Sequence, residues 1–133
     1  MVKDNIDVRK IPTTGGIKAL RYSIPNTDAI IIEKLRLEGA IVIAKSNLAE
    51  LGSGKYESEL GGSCKNPWDP SRTCGLSSAG AGAGIAAGIA VIGIGFDTEG
   101  SLMSPSTSCG IFGLRPSIGE LSTTGITNFS SYL

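Results

Sequence analysis

The sequence contains no histidine. That removes the usual general base and the commonest metal ligand. Neither a Ser-His-Asp nor a Cys-His triad can be assembled from it. A His-Cys zinc site and a helical HExxH motif are equally excluded. Any catalysis must use another base. Net charge is lacking too, since twelve Lys and Arg balance twelve Asp and Glu. Neutrality supplies no electrostatic pull toward nucleic acid or an anionic membrane, so neither is expected as a partner. Cysteine is sparse: Cys64, Cys74 and Cys109 are an odd number without CxxC spacing. The opening residues carry Lys3, Asp4, Asp7, Arg9 and Lys10, unlike the apolar core of a secretory leader. A reduced, cytoplasmic protein is the expectation.

Glycine, in contrast, is abundant. It makes up 19 of 133 residues, or about 14%, near twice the roughly 7% average. Ten of the 19 fall between Gly75 and Gly113. The length suits one domain at roughly 100–200 residues each.

The clearest local unit begins at Asn26-Thr27-Asp28, which offers helix N-caps. Ala29 to Glu38 is helical in pattern, and Gly39 is a natural residue just past its end. Ala40 to Ala44 (AIVIA) reads as a fully buried strand. Helix, glycine and short apolar strand form half of a βαβ unit, which predicts an α/β fold with a mostly parallel sheet. Residues 45–73 read as loop-rich. Ser78 is placed to cap a helix over Ala79 to Ala90, built almost wholly of Gly, Ala and Ile. Glycine costs such a helix about 1 kcal/mol per residue against alanine. In return it permits close approach of a neighbouring backbone. Val91 to Gly95 (VIGIG) reads as a second buried strand, Asp97 to Ser101 as a polar turn, and Ile111 to Leu114 as a third strand. The tail from Ser117 shows no regular pattern.

From Thr73 to Phe96 there are 24 residues without a charge. That is long enough to span a bilayer, and Gly80, Gly84 and Gly88 repeat a small-xxx-small pattern. The low content of large apolar residues and the break near Val91 favour helix followed by strand. Gly82-x-Gly84-x-x-Ala87 matches a relaxed dinucleotide fingerprint, but no strand leads into it, which the fingerprint requires. A third reading uses the serines. Ser77 and Ser78 sit at a helix start and Ser101 in a tight turn after a strand. Serines beside exposed backbone N–H groups suit acyl transfer, although an isolated serine in such a place is more often a cap or turn residue.

Gly75-Leu76-Ser77-Ser78-Ala79-Gly80-Ala81 and Gly95-Phe96-Asp97-Thr98-Glu99-Gly100-Ser101 resemble the two serine blocks of the amidase signature family. Four further segments fit the same pattern: Lys3-Asp4-Asn5, Lys45-Ser46-Asn47, Asn66-Pro67-Trp68-Asp69-Pro70, and Cys109-Gly110-Ile111-Phe112-Gly113-Leu114-Arg115-Pro116-Ser117. The resemblance implies a three-layer α/β/α fold with a mixed central sheet. It implies a Ser–cis-Ser–Lys triad, carried over as Ser101 nucleophile, Ser77 bridge and Lys3 base. Backbone N–H groups of Thr98, Glu99, Gly100 and Ser101 would hold the oxyanion. Ser78 stands beside Ser77, and Asp97 is expected to brace the turn. Lys45 is a rival base by charge and is expected to be a structural or solvated lysine. The implied substrate is a small-molecule amide, with no metal and no cofactor. The resemblance also answers the missing histidine, because a buried lysine can work as a base near neutral pH.

The match has departures. Leu76, Ala79 and Glu99 stand where the family has glycine, Met103 where it has arginine, and Arg115 where it has lysine. If position 99 needs a positive φ, glutamate there costs roughly 1–2 kcal/mol. Such losses raise a rival reading, a non-catalytic relative that keeps the scaffold as a docking module. Family domains are several times longer, so residues 1–133 are expected to be one partial domain. It would lack its N-terminal edge and C-terminal half and would have poor stability alone. Simple amides, fatty-acid amides and transfer-RNA amidation all fit as reactions. Leu48-Ala49-Glu50-Leu51 departs from the pattern of the last. The sequence assigns no oligomeric state.

Overall fold

The computed structural model describes residues 1–52 and 55–127. Its centre is a short parallel ladder. Strand β1 (Val2–Lys3) pairs with β2 (Lys45–Ser46), Val2 facing Lys45 and Lys3 facing Ser46. On its other side β1 meets the extended segment around Ile94, through a parallel bridge from Val2 to Ile94. Lys3 N–H donates to the Ile94 carbonyl at 2.9 Å, and Asp4 N–H to that of Ser46 at 3.1 Å. Lys3 therefore sits in the middle of three parallel segments. The parallel α/β expectation holds.

Helix α1 (Ile30–Leu37) covers one side of this ladder. Ile32 joins Val2, Ile6, Val8 and Ala29 in the larger core cluster, with Ile31, Leu35, Val42 and Ile94 packed against it. Gly39 ends the helix with φ +87°, as its position predicts. The start differs from expectation. Ala29 is the N-cap, without a side-chain bond. The Asp28 carboxylate is already engaged by Arg9 N–H at 2.6 Å and by Arg36 at 3.1 Å.

Helix α2 (Ala79–Ala86) lies against β1 and β2 and against helix α3 (Met103–Cys109). Its glycines make that closeness available. A Cβ on Gly80 would lie 2.6 Å from the Asn47 backbone, and one on Gly82 would lie 2.9 Å from Pro105 Cβ. The helix is shorter than the expected span to Ala90, because Ala87 is its C-cap and Gly88 turns the chain at φ +71°. Ser78 is the N-cap, but its hydroxyl does not cap. It donates instead to the Phe96 carbonyl at 3.4 Å. Helix α3 has no counterpart in the sequence reading, because Ser-Pro-Ser-Thr-Ser carries no apolar period. An antiparallel hairpin, β3 (Glu57–Ser58) with β4 (Gly62–Ser63), occupies part of the expected loop region.

Three expected strands are not formed. Residues 40–44 form no strand: their contribution to the ladder is the Ala44 carbonyl, which accepts from Val2 N–H at 3.0 Å, and Ile41 is 84% exposed. Val91 to Gly95 contributes only the Ile94 bridge, and Val91 is 94% exposed. Residues 111–114 form no strand, and Phe112 and Leu114 are exposed. The reason is pairing. Among the described residues only β1 has a parallel partner on both sides, so the flanking segments have one neighbour each and their apolar faces lie uncovered. Among the described residues no helix is long and apolar enough to cross a membrane.

Candidate active site

The central ladder, the start of α2 and the turn before α3 converge on one buried lysine. Lys3 is 1% exposed, as is Ser77. Lys3 Nζ donates to Ser77 Oγ at 2.6 Å and, more weakly, to the Phe96 carbonyl at 3.4 Å. Burial pulls the Lys3 ammonium down to about pKa 7, against the opposing charge of Asp97. Desolvation disfavours the charged form, so Lys3 populates its neutral form at physiological pH.

Ser77 is presented by a tight backbone path. Gly75 has φ +81°, and a Cβ there would meet the Ser104 and Pro105 backbone at 2.7 Å. The peptide bond between Leu76 and Ser77 is cis. Ser78 N–H then donates to the Ser101 carbonyl at 3.0 Å, setting the two serine segments side by side. Among the described residues no hydrogen bond joins the Ser101 hydroxyl to that of Ser77.

Asp97 organises the turn that carries Ser101. One carboxylate oxygen accepts from Gly100 N–H at 2.8 Å, and the other from Leu102 N–H at 2.8 Å and Met103 N–H at 3.2 Å. Arg115 adds an ion pair at 3.3 Å. Burial alone would raise the Asp97 pKa. The N–H groups of Leu102, Gly100 and Met103, with Arg115, outweigh it and hold the carboxyl below its usual range. Of the four N–H groups expected to face an oxyanion, that of Gly100 is thus committed to Asp97. Those of Thr98, Glu99 and Ser101 donate to none of the described residues. Neither Leu76 nor Glu99 has a positive φ, whereas Gly100 does, at +104°. The glutamate therefore carries no backbone strain of the kind considered from sequence.

Lys45 is held elsewhere. Its Nζ pairs with Asp4 at 3.0 Å and donates to Thr13 Oγ1 at 3.0 Å and the Pro12 carbonyl at 3.1 Å. Asn47 braces the β3–β4 hairpin through the Gly61 and Gly62 carbonyls. Two contributors have no sequence signal. Arg115 meets Asp97 only because residues 97 and 115 fold together. The Phe96 carbonyl, which accepts from Lys3 and Ser78, has no side-chain signature to find. Among the described residues no three His, Cys, Asp or Glu side chains converge as metal ligands.

A glutamyl-tRNA(Gln) amidotransferase subunit of Sulfurisphaera tokodaii is 42% identical over 133 residues, covering 99% of this chain and 28% of that protein. Its counterpart in Saccharolobus solfataricus is 44% identical with the same coverage. The chain thus spans about 28% of the length of these relatives. The departure at residues 48–51 does not separate the sequence from this group. Among solved structures, the native peptide amidase of Stenotrophomonas maltophilia superimposes with TM-score 0.89 at 35% identity, covering 94% of this chain and 27% of the other. The corresponding glutamyl-tRNA(Gln) amidotransferase subunit of Thermotoga maritima gives 0.91 at 33% identity, covering 99% and 29%. These likenesses place the short ladder and its helices within the amidase signature fold. The amidase family model matches every residue from 1 to 133, and the chain belongs to the amidase family.

Proposed function

We propose that this chain carries the reacting groups of a serine hydrolase that cleaves carbon–nitrogen amide bonds. The carrying observation is the 2.6 Å contact between the buried Lys3 Nζ and Ser77 Oγ. Neutral Lys3 takes the Ser77 proton while Ser77 takes that of Ser101, and the Ser101 oxygen attacks the amide carbonyl. The relay returns the proton to the departing nitrogen, and water then releases the acyl group from Ser101. The Ser77–Ser101 link tightens when substrate seats, as catalytic hydrogen bonds do between free enzyme and complex. The N–H groups of Thr98, Glu99 and Ser101 face the developing oxyanion, each worth a few kcal/mol. Gly100 supports that site indirectly by shaping the turn with Asp97. The chemistry asks for no metal and no cofactor.

The substrate is a small-molecule amide. Relatives named for amidotransferase and for peptide amidase activity both support that class. A cytoplasmic setting fits the three free cysteines. The test is release of amine or ammonia from a panel of carboxamides by the full chain, with Ser101→Ala as control. Turnover that disappears in Ser101→Ala supports the reading. A well-folded protein that turns over none of them, and reacts with no serine-directed probe, is the docking scaffold instead.

A further inference from the structure

Cys64 and Cys74 stand ten residues apart and Cys109 a further 35, and the three meet in one cluster. Cys74 and Cys109 are fully buried in one small cluster with Ala79, and half-buried Cys64 packs against it. An antiparallel bridge joins Lys65 to Thr73. Cys64 and Cys74 are the next residues beyond that bridge on its two sides. Facing residues in an antiparallel pair lie about 4.5–5.5 Å apart at Cα. Disulfides form across about 4.4–6.8 Å, a range that includes this spacing. The Cys74 thiol points at its neighbour: Sγ donates to the Cys64 carbonyl at 3.2 Å. Cys109 Sγ donates in the same way to the Cys74 carbonyl, at 3.6 Å, but Cys109 is buried while Cys64 is partly exposed.

The two thiols are also unequal. Side-chain contact with Cys74 draws the Cys64 thiol below its ordinary value, against the raising effect of burial. The same contact, together with burial, pushes the Cys74 thiol up. A partly exposed thiol that a peroxide can reach, beside a buried thiol, is the arrangement of an attacking and a resolving cysteine.

We propose that Cys64 and Cys74 are a peroxide-reactive thiol pair, a modification site separate from the serine site. The Cys64 thiolate attacks the O–O bond of a hydroperoxide, giving Cys64 sulfenic acid and releasing the leaving oxygen as water or alcohol once protonated. Cys74 sulfur then displaces that hydroxyl, forming the Cys64–Cys74 disulfide and a second water. Both thiols are oxidised, and one hydroperoxide is reduced by two electrons. The disulfide closes the loop of residues 65–73, and Cys74 lies three residues before Ser77. Reduction by a dithiol reverses it.

The full chain is treated with a few equivalents of hydrogen peroxide, alkylated and digested without reductant, and read by peptide mass spectrometry. The expected product is a Cys64–Cys74 cross-linked peptide that disappears on reduction, with Cys109 recovered as free thiol. In Cys74→Ala, dimedone traps sulfenic acid at Cys64. A cross-link through Cys109 overturns the proposal. So does recovery of Cys64 and Cys74 as free thiols after peroxide, a readout that needs no variant to fold.

Discussion

Lys3 Nζ and Ser77 Oγ lie 2.6 Å apart across 74 residues of sequence, and both residues are buried. The contact depends on β1 running between two parallel segments, which puts Lys3 under the start of α2. A charged lysine there has lost its water without gaining a directly bonded carboxylate. The proton therefore leaves at a pH where a solvated lysine would keep it.

Acylation of Ser101 should follow that proton. The rate of labelling by a fluorophosphonate is expected to rise with pH and level off above about pH 7. Lys3→Met should slow it by roughly 10²–10⁴-fold, the usual contribution of a general base, and erase the inflection. Ser77→Ala should do the same without changing the fold. A pH–rate series on the three proteins checks this.

The same burial makes stability depend on pH. The Lys3 pKa falls from 10.5 to about 7 on folding. Between those values the unfolded chain binds a proton that the folded chain releases, so stability rises with pH across the window. Lys3 contributes its full share above 10.5 and has lost it by about pH 7. The slope from this one group is at most about 1.4 kcal/mol per pH unit. Urea unfolding at neutral and alkaline pH should show a shallower rise in Lys3→Met than in the parent.

How much of this is legible in the sequence varies by residue. The serine blocks and Lys3 carry side-chain identities at set spacings, so they can be read in order along the chain. Gly39 can be read because only a residue free of Cβ ends a helix cheaply at φ +87°. The runs at 40–44, 91–95 and 111–114 do not become the expected strands, because apolar runs report a preference for burial, not the presence of a partner. Ile41 and Val91 have the composition of sheet interior and lie exposed. Helix α3 is invisible because its position is set by Asp97 and by contact with α2, not by its own pattern.

Asp97 holds the Ser101 turn through three N–H groups and Arg115. Asp97→Ala should lower stability by about 2–4 kcal/mol, since hydrogen bonds to a buried charge are worth roughly 1.5–3 kcal/mol each and are not additive. It should also slow acylation. Arg115→Ala should cost under about 1 kcal/mol, because its side chain is exposed. Thermal melts of the two variants should separate them clearly.

Gly80 offers a packing test. Alanine gains about 1 kcal/mol of helix propensity over glycine. Here its Cβ would lie 2.6 Å from the Asn47 backbone, which has no room to yield. Gly80→Ala is therefore expected to destabilise by about 1–3 kcal/mol, as overpacking does. A melting temperature unchanged or raised would show that α2 can move away from Asn47.

The most direct test of the account is where a fluorophosphonate adduct forms on the folded chain at about pH 8, above the Lys3 pKa. The expected result is one covalent adduct, mapped by mass spectrometry to Ser101, absent in Ser101→Ala and strongly slowed in Lys3→Met. An adduct on Ser77 or Ser78 instead, or labelling of Ser101 at an undiminished rate in Lys3→Met, would contradict it.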